Sequence, residues 1–100
     1  MADVLAVGSS GGLASADALR VLEFIDPAAI ATIRGKNMAR RDYTPRFEVA
    51  MARKDIRLME ETASNRPLAV LPAVGVRLDQ LIAQDLATQD LAVIGKDSAS

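Results

Sequence analysis

The chain has no cysteine and no histidine. Without cysteine there is no disulfide and no thiolate chemistry. Without either residue, zinc sites built on Cys or His and every triad that uses an imidazole base are excluded. Aromatics are scarce: Phe24, Tyr43 and Phe47 are the whole complement, and tryptophan is absent. No apolar run approaches the ~20 residues of a membrane span. No basic segment precedes the N-terminal apolar run, as a secretory leader requires. These absences argue against a membrane partner and suit a cytoplasmic location. Net charge is also missing, because 12 Lys and Arg face 13 Asp and Glu for a formal −1. A general nucleic-acid binder is usually clearly basic, so nucleic acid is not an expected partner.

What remains is a chain of 100 residues, half of them hydrophobic. That is enough for one core in one small domain, or for a piece of a larger protein. The core is drawn from Ala, Leu, Val, Ile and Met, a composition that favours helices packed closely together. The expected fold class is all-α, a compact bundle of about five helices. Residues 1–14 read as a linker or remnant segment, 15–97 as the helical domain and 98–100 as a frayed tail.

Along the chain, Ala2 to Gly8 reads as a short strand or a ragged segment. Ser9-Ser10-Gly11-Gly12 reads as a flexible joint. It lacks G-x-G-x-x-G and G-x-x-x-x-G-K-[ST], so a phosphate cradle is the weaker reading. Ser15 is placed as an N-cap, with Leu19, Leu22 and Ile25 as an apolar stripe behind it. Asp26-Pro27 opens the next helix, with Asp26 as cap and Pro27 at its first position, and Gly35 closes it. Arg34, Lys36, Arg40, Arg41 and Arg46 then face only Asp42. This run is read as a solvated connector, with an anion-facing edge as the alternative.

The stretch from Phe47 to Ser64 is helical by period. At 100° per residue, Arg46, Arg53, Arg57, Glu60, Glu61 and Ser64 share a wet face. Phe47, Met51 and Leu58 form one apolar stripe; Ala52, Ile56, Met59 and Ala63 form a second. Asp55 falls between the stripes, where a carboxylate needs a partner. It is either a structural bridge or part of a site. Lys54 falls at the border of the first stripe. Pro67 and Pro72 bracket the start of an amphipathic helix that runs to about Leu86. Gly75 within it is tolerable if a second helix backbone approaches there. Thr88 is taken as the cap of a last short helix, Gln89 to Ile94, closed by Gly95.

Asp42-Tyr43-Thr44-Pro45-x-Phe47 followed by Lys54-Asp55-Ile56-x-Leu58 resembles the C-terminal domain of the β-hydroxyacid dehydrogenases. That family includes 3-hydroxyisobutyrate dehydrogenase, tartronate semialdehyde reductase and glyoxylate reductase, with a C-terminal fold like that of 6-phosphogluconate dehydrogenase. Asp26-Pro27-Ala28-Ala29-Ile30 and Asp90-Leu91-Ala92-Val93-Ile94 are similar to its flanking helices. The likeness spans about residues 15 to 97.

The resemblance implies an all-helical domain that follows an NAD(P)-binding Rossmann domain, lines the active-site cleft and makes the dimer contact. It implies that Lys54 sits beside the nicotinamide end of the cofactor. Asp55 then supports that lysine, Phe47 packs near substrate and nicotinamide, and Asp90 has a structural role. The G-x-G-x-M-G fingerprint and the G-x-G-x-x-x-K-x-x-N-N segment with the catalytic lysine are not in this sequence. The chain by itself is therefore expected to be a fragment, truncated product or separated domain that transfers no hydride and binds NAD or NADP weakly. It is expected to form a homodimer or higher oligomer over surface that a missing domain would have covered. The competing expectation is a non-enzymatic helical oligomerisation module.

Overall fold

The computed structural model describes residues 1–100 and contains five α-helices, two 3-10 segments and no sheet. The helices are α1 (Ala2–Ser10), α2 (Ser15–Leu19), α3 (Pro27–Arg40), α4 (Val49–Ala63) and α5 (Leu71–Ala83). One 3-10 turn, Arg20–Glu23, follows α2, and a C-terminal 3-10 helix spans Leu91–Gly95. The expected all-α bundle of about five helices is what the chain forms.

The core lies between α4, α5 and the C-terminal 3-10 helix. Val49, Ala52 and Ile56 of α4 meet Leu78 and Leu81 of α5, and Val93 closes the end. These residues recur three, four and seven apart, so one stripe of each helix faces the other. Burying each large aliphatic side chain contributes about 1.5–3 kcal/mol. Asp79 on α5 takes a bidentate pair from Arg53 on α4 at 2.8 and 3.2 Å. Arg53 is therefore an inter-helix staple, not part of a wet face. Its guanidinium crosses Gly75, where an added Cβ would lie 3.2 Å from Arg53 Nη1. A side chain, not a second backbone, is what needs that glycine.

The N-terminal segment is helical, neither strand nor ragged. Asp3 explains its position. Its carboxylate accepts from the amides of Ala69, Val70 and Leu71 at 2.6, 3.0 and 2.7 Å. Helix α5 has no side-chain cap of its own, so an acid from α1 satisfies the amides at its start. At the other end of α1, the Ser10 hydroxyl donates to the Ala63 carbonyl at 3.0 Å. One polar tie thus holds the start of α1 to the start of α5, and the other holds its end to the end of α4. The turn that follows is only Gly11–Gly12 with two flanking residues, and Ala14, not Ser15, is the N-cap of α2.

Helix α3 begins as expected, with Asp26 Oδ1 accepting from the Ala29 amide at 3.1 Å and Pro27 in the first turn. It does not end at Gly35. It continues to Arg40 and closes on Arg41, which takes the left-handed conformation at φ 55°. Contacts on both sides of Gly35 hold it helical. Arg34 pairs with Asp90, and Met38 packs on Gly95, where a Cβ would meet its sulfur at 2.9 Å. The basic run therefore lies mostly on a helix, not on a connector. The segment after Gly95 is also tied down. Arg77 pairs with Asp97 at 2.8 Å, and Arg41 donates to the Ala99 carbonyl at 2.8 Å.

Candidate functional site

The N-terminus of α4 has no side-chain cap. Its first amides find backbone acceptors instead: Val49 donates to Gln89 O and Ala50 to Ala87 O, each at 3.0 Å. The segment before the C-terminal 3-10 helix therefore lies antiparallel to residues 43–50. Asp90 N donates to Tyr43 O at 3.0 Å, and Leu91 N to Phe47 O at 2.8 Å.

Asp90 sits at the centre of this junction with no exposed surface. Its Oδ1 accepts from the amides of Arg46 and Phe47 at 3.0 and 2.9 Å. Its Oδ2 accepts from the Ala92 amide at 2.9 Å and from Arg34 Nη1 at 2.8 Å. Asp90, not Thr88, caps the last helix. Burial pushes its carboxyl up, but the amides of Ala92, Phe47 and Arg46 and the Arg34 charge outweigh burial and hold it below the ordinary carboxylate value. One carboxylate thus fastens α3, the segment entering α4 and the C-terminal helix.

Phe47 is fixed by this junction. It is half-buried, packs against the core, and has both its amide and its carbonyl engaged. The exposed side of α4, which starts two residues later at Val49, carries Met51, Lys54 and Leu58, with Asp55 at its edge. Met51 and Leu58 are 45 % and 49 % exposed, so the first apolar stripe faces outward beyond Phe47. Lys54 is exposed between them, a turn from each, and makes no ion pair or hydrogen bond within the chain. Asp55 is half-buried and also has no hydrogen-bond partner. The inward arc expected for it is occupied by Ala52 and Ile56, so its carboxylate keeps access to water and needs no bridge. The structure places Lys54 and Asp55 side by side on α4 but leaves Phe47 two residues before the helix, which begins at Val49 and not at Phe47, because Phe47 is held in the segment that pairs with Asp90 and Leu91.

The other shifted charges sit in ion pairs and caps. Asp3 is held low by the amides of Leu71 and Ala69, Asp79 by Arg53, and Asp97 by Lys96 and Arg77. Arg53 is pushed up by Asp79. Asp42 is held low by Thr44 and then by Arg46. Every one of these shifts moves its group away from neutrality, the pattern of ion pairs and caps; a poised general acid or base moves toward it. Of the basic run, Arg34 is committed to Asp90, Arg46 to Asp42 and Arg41 to the tail carbonyl. Two residues carry more than the sequence showed. For Asp90 the resemblance implies only a structural role, inside a helix expected from Gln89 to Ile94. Asp3 had one signal, a lone carboxylate in the run Ala-Asp-Val-Leu-Ala-Val.

No protein-family model and no curated protein matches the chain.

Proposed function

We propose that these residues form the helical, substrate-side domain of an NAD(P)-dependent 3-hydroxyacid dehydrogenase of the 3-hydroxyisobutyrate dehydrogenase type. The Rossmann domain and catalytic lysine come from other sequence. One observation supports the reading. Two of the stretches that resemble that family, 42–47 and 90–94, are far apart in the chain yet meet at Asp90, and the helix opened by a third stretch reaches the same carboxylate. The helix opened by Asp26-Pro27 delivers Arg34, Asp42 to Phe47 deliver two amides, and Asp90 to Ile94 deliver the carboxylate and a third amide. That junction fixes Phe47 just before α4, the helix that carries Lys54 and Asp55.

Lys54 fits the cofactor role because its ammonium is exposed and uncommitted between two apolar side chains. Its charge can hold the polar end of a nicotinamide laid on that face, while Phe47 and Asp55 line the pocket beside it. A bound nicotinamide supplies or accepts the hydride; this chain positions and covers. The reading includes a homodimer or higher oligomer. The test is NAD(P)-linked oxidation of a panel of 3-hydroxyacids by the chain alone and with a Rossmann domain that bears G-x-G-x-M-G and the catalytic-lysine segment. Turnover only in the combined protein supports the proposal, and turnover by the chain alone defeats it.

A second reading, a non-enzymatic helical self-association module, is favoured by one feature. From Leu19 to Ile33 every residue is exposed, including Leu22, Phe24, Ile25, Ile30 and Ile33. Self-association without any dehydrogenase activity in the combined protein selects this reading.

A further inference from the structure

The longest exposed stretch, Leu19 to Ile33, lies beside the largest cavity, to which it contributes Val21. The cavity, about 330 Å³, opens between α1, α2 and α4 and is walled by Val4, Val7, Leu13, Ala18, Val21 and Met59. The one acid at its edge, Asp3, has its carboxylate committed to three amides. Its apolar walls offer a ligand no free polar partner, which fits a hydrocarbon or aromatic group. A cavity of about 150 Å³ lined this way accepts benzene, so a phenyl ring fits.

The chain carries such a ring three residues after one of the walls. Phe24 is 80 % exposed, more than any other large apolar side chain. It follows Val21, a wall of the cavity, by three residues at the end of the 3-10 turn Arg20–Glu23. In that geometry residues three apart line up along the axis, about 6 Å from each other. Knob and hole are therefore neighbours on one face, and Phe24 does not fill its own hole. This is the arrangement that a two-fold interface needs, because the same patch must both give and receive.

The surface area agrees with a missing copy. The chain exposes 6419 Å², against about 5,500 Å² for a folded monomer of its 10.6 kDa mass. The excess is close to the ~800 Å² that each partner buries in a stable complex. The exposed stretch Leu19 to Ile33 carries one net negative charge, from Asp26, because Arg20 and Glu23 on it face each other at 3.6 Å. No larger like-charge barrier opposes a second copy.

We infer that the chain forms a two-fold dimer in which Phe24 of each copy enters the other copy's Val4–Val7–Leu13–Met59 cavity. The inference rests on the self-association part of the reading above and names its surface. The experiment is sedimentation velocity from 1 to 100 µM on the wild type, Phe24→Ser, Leu13→Glu and Val76→Glu, with circular dichroism confirming the helices. Phe24, Leu13 and Val76 are all exposed on the single chain, so the substitutions leave its core intact. The expected result is a wild-type dimer, weakened at least tenfold by Phe24→Ser and by Leu13→Glu and unchanged by Val76→Glu on α5. A wild-type monomer throughout the range overturns both the surface and self-association. A dimer indifferent to Phe24→Ser and Leu13→Glu overturns the surface alone.

Discussion

Replacing Asp90 with alanine removes the acceptor for four donors at once. Three are backbone amides, of Arg46, Phe47 and Ala92, and the fourth is the Arg34 guanidinium. A hydrogen bond to a charged group contributes about 1.5–3 kcal/mol, and such terms do not add within one network. Breaking a buried ion pair from one side costs about 3–5 kcal/mol. Arg34 keeps 28 % of its side chain exposed and can rehydrate, whereas Ala92 is fully buried and its amide cannot. The expected loss for Asp90→Ala is therefore about 4 kcal/mol, a large part of the ~5–15 kcal/mol available to a domain. In a chain of this length it corresponds to a fall of roughly 20 °C in Tm. Asp90→Asn keeps one carbonyl acceptor and is expected to lose about half as much. Arg34→Met leaves the carboxylate with three amides and is expected to cost about 1–2 kcal/mol. Urea unfolding followed by circular dichroism reads all three. A loss below about 1 kcal/mol for Asp90→Ala refutes the hub, and so does Arg34→Met costing as much as Asp90→Ala.

Three further outcomes follow from the packing and the charges. Gly35 lies in mid-helix with nothing within 4 Å of an added Cβ, so Gly35→Ala is expected to raise stability by about 0.5–1 kcal/mol; a loss in urea unfolding would place the end of α3 there instead. Gly8→Ala puts a Cβ 2.7 Å from Ala18 Cβ and is expected to cost about 1–3 kcal/mol despite alanine's better helix propensity, because α1 and α2 must separate; thermal melts that match the wild type would show that the contact is loose. The carboxyls of Asp3 and Asp90 lie below their ordinary values in the folded chain. A depressed folded pKa contributes stability that is complete above the unfolded value, about 3.9, and is lost as pH falls through the folded one. The urea midpoint should thus be flat from pH 5 to 7, where no histidine titrates, and fall below about pH 4. A step between pH 5 and 7 contradicts this.

The sequence showed well what local physics decides. Asp26-Pro27 named the start of α3, and the three- and four-residue spacing named α4 and α5, because caps and amphipathic stripes act within a few residues. It failed where distant residues decide. Gly35 reads as a stop until Arg34 and Met38 are seen anchored to the C-terminal helix on either side of it. Residues 2–8 look ragged until Asp3 is seen capping α5. Arg53 looks wet until Asp79 takes its guanidinium across Gly75. In the candidate site, the angular reading put Lys54 at the border of the first stripe, where the structure leaves it exposed, and it put Asp55 too far inward, because the face that α5 covers is centred on Val49, Ala52 and Ile56. Asp90 shows the same limit, since its partners lie 44 and 56 positions away for Arg46 and Arg34.

The central claim, that the outer face of α4 is the cofactor-facing wall of a dehydrogenase, meets its most direct test in the combined protein. The measurement is kcat/KM for NAD(P)-linked oxidation of the best 3-hydroxyacid, compared between the parent, Lys54→Met and Lys36→Met. Both lysines are exposed and without partners in this chain, so neither substitution should alter folding. The expected result is a loss of at least tenfold for Lys54→Met, about 1.4 kcal/mol in transition-state stabilisation, with Lys36→Met unchanged. Equal activity in all three proteins would contradict the assignment.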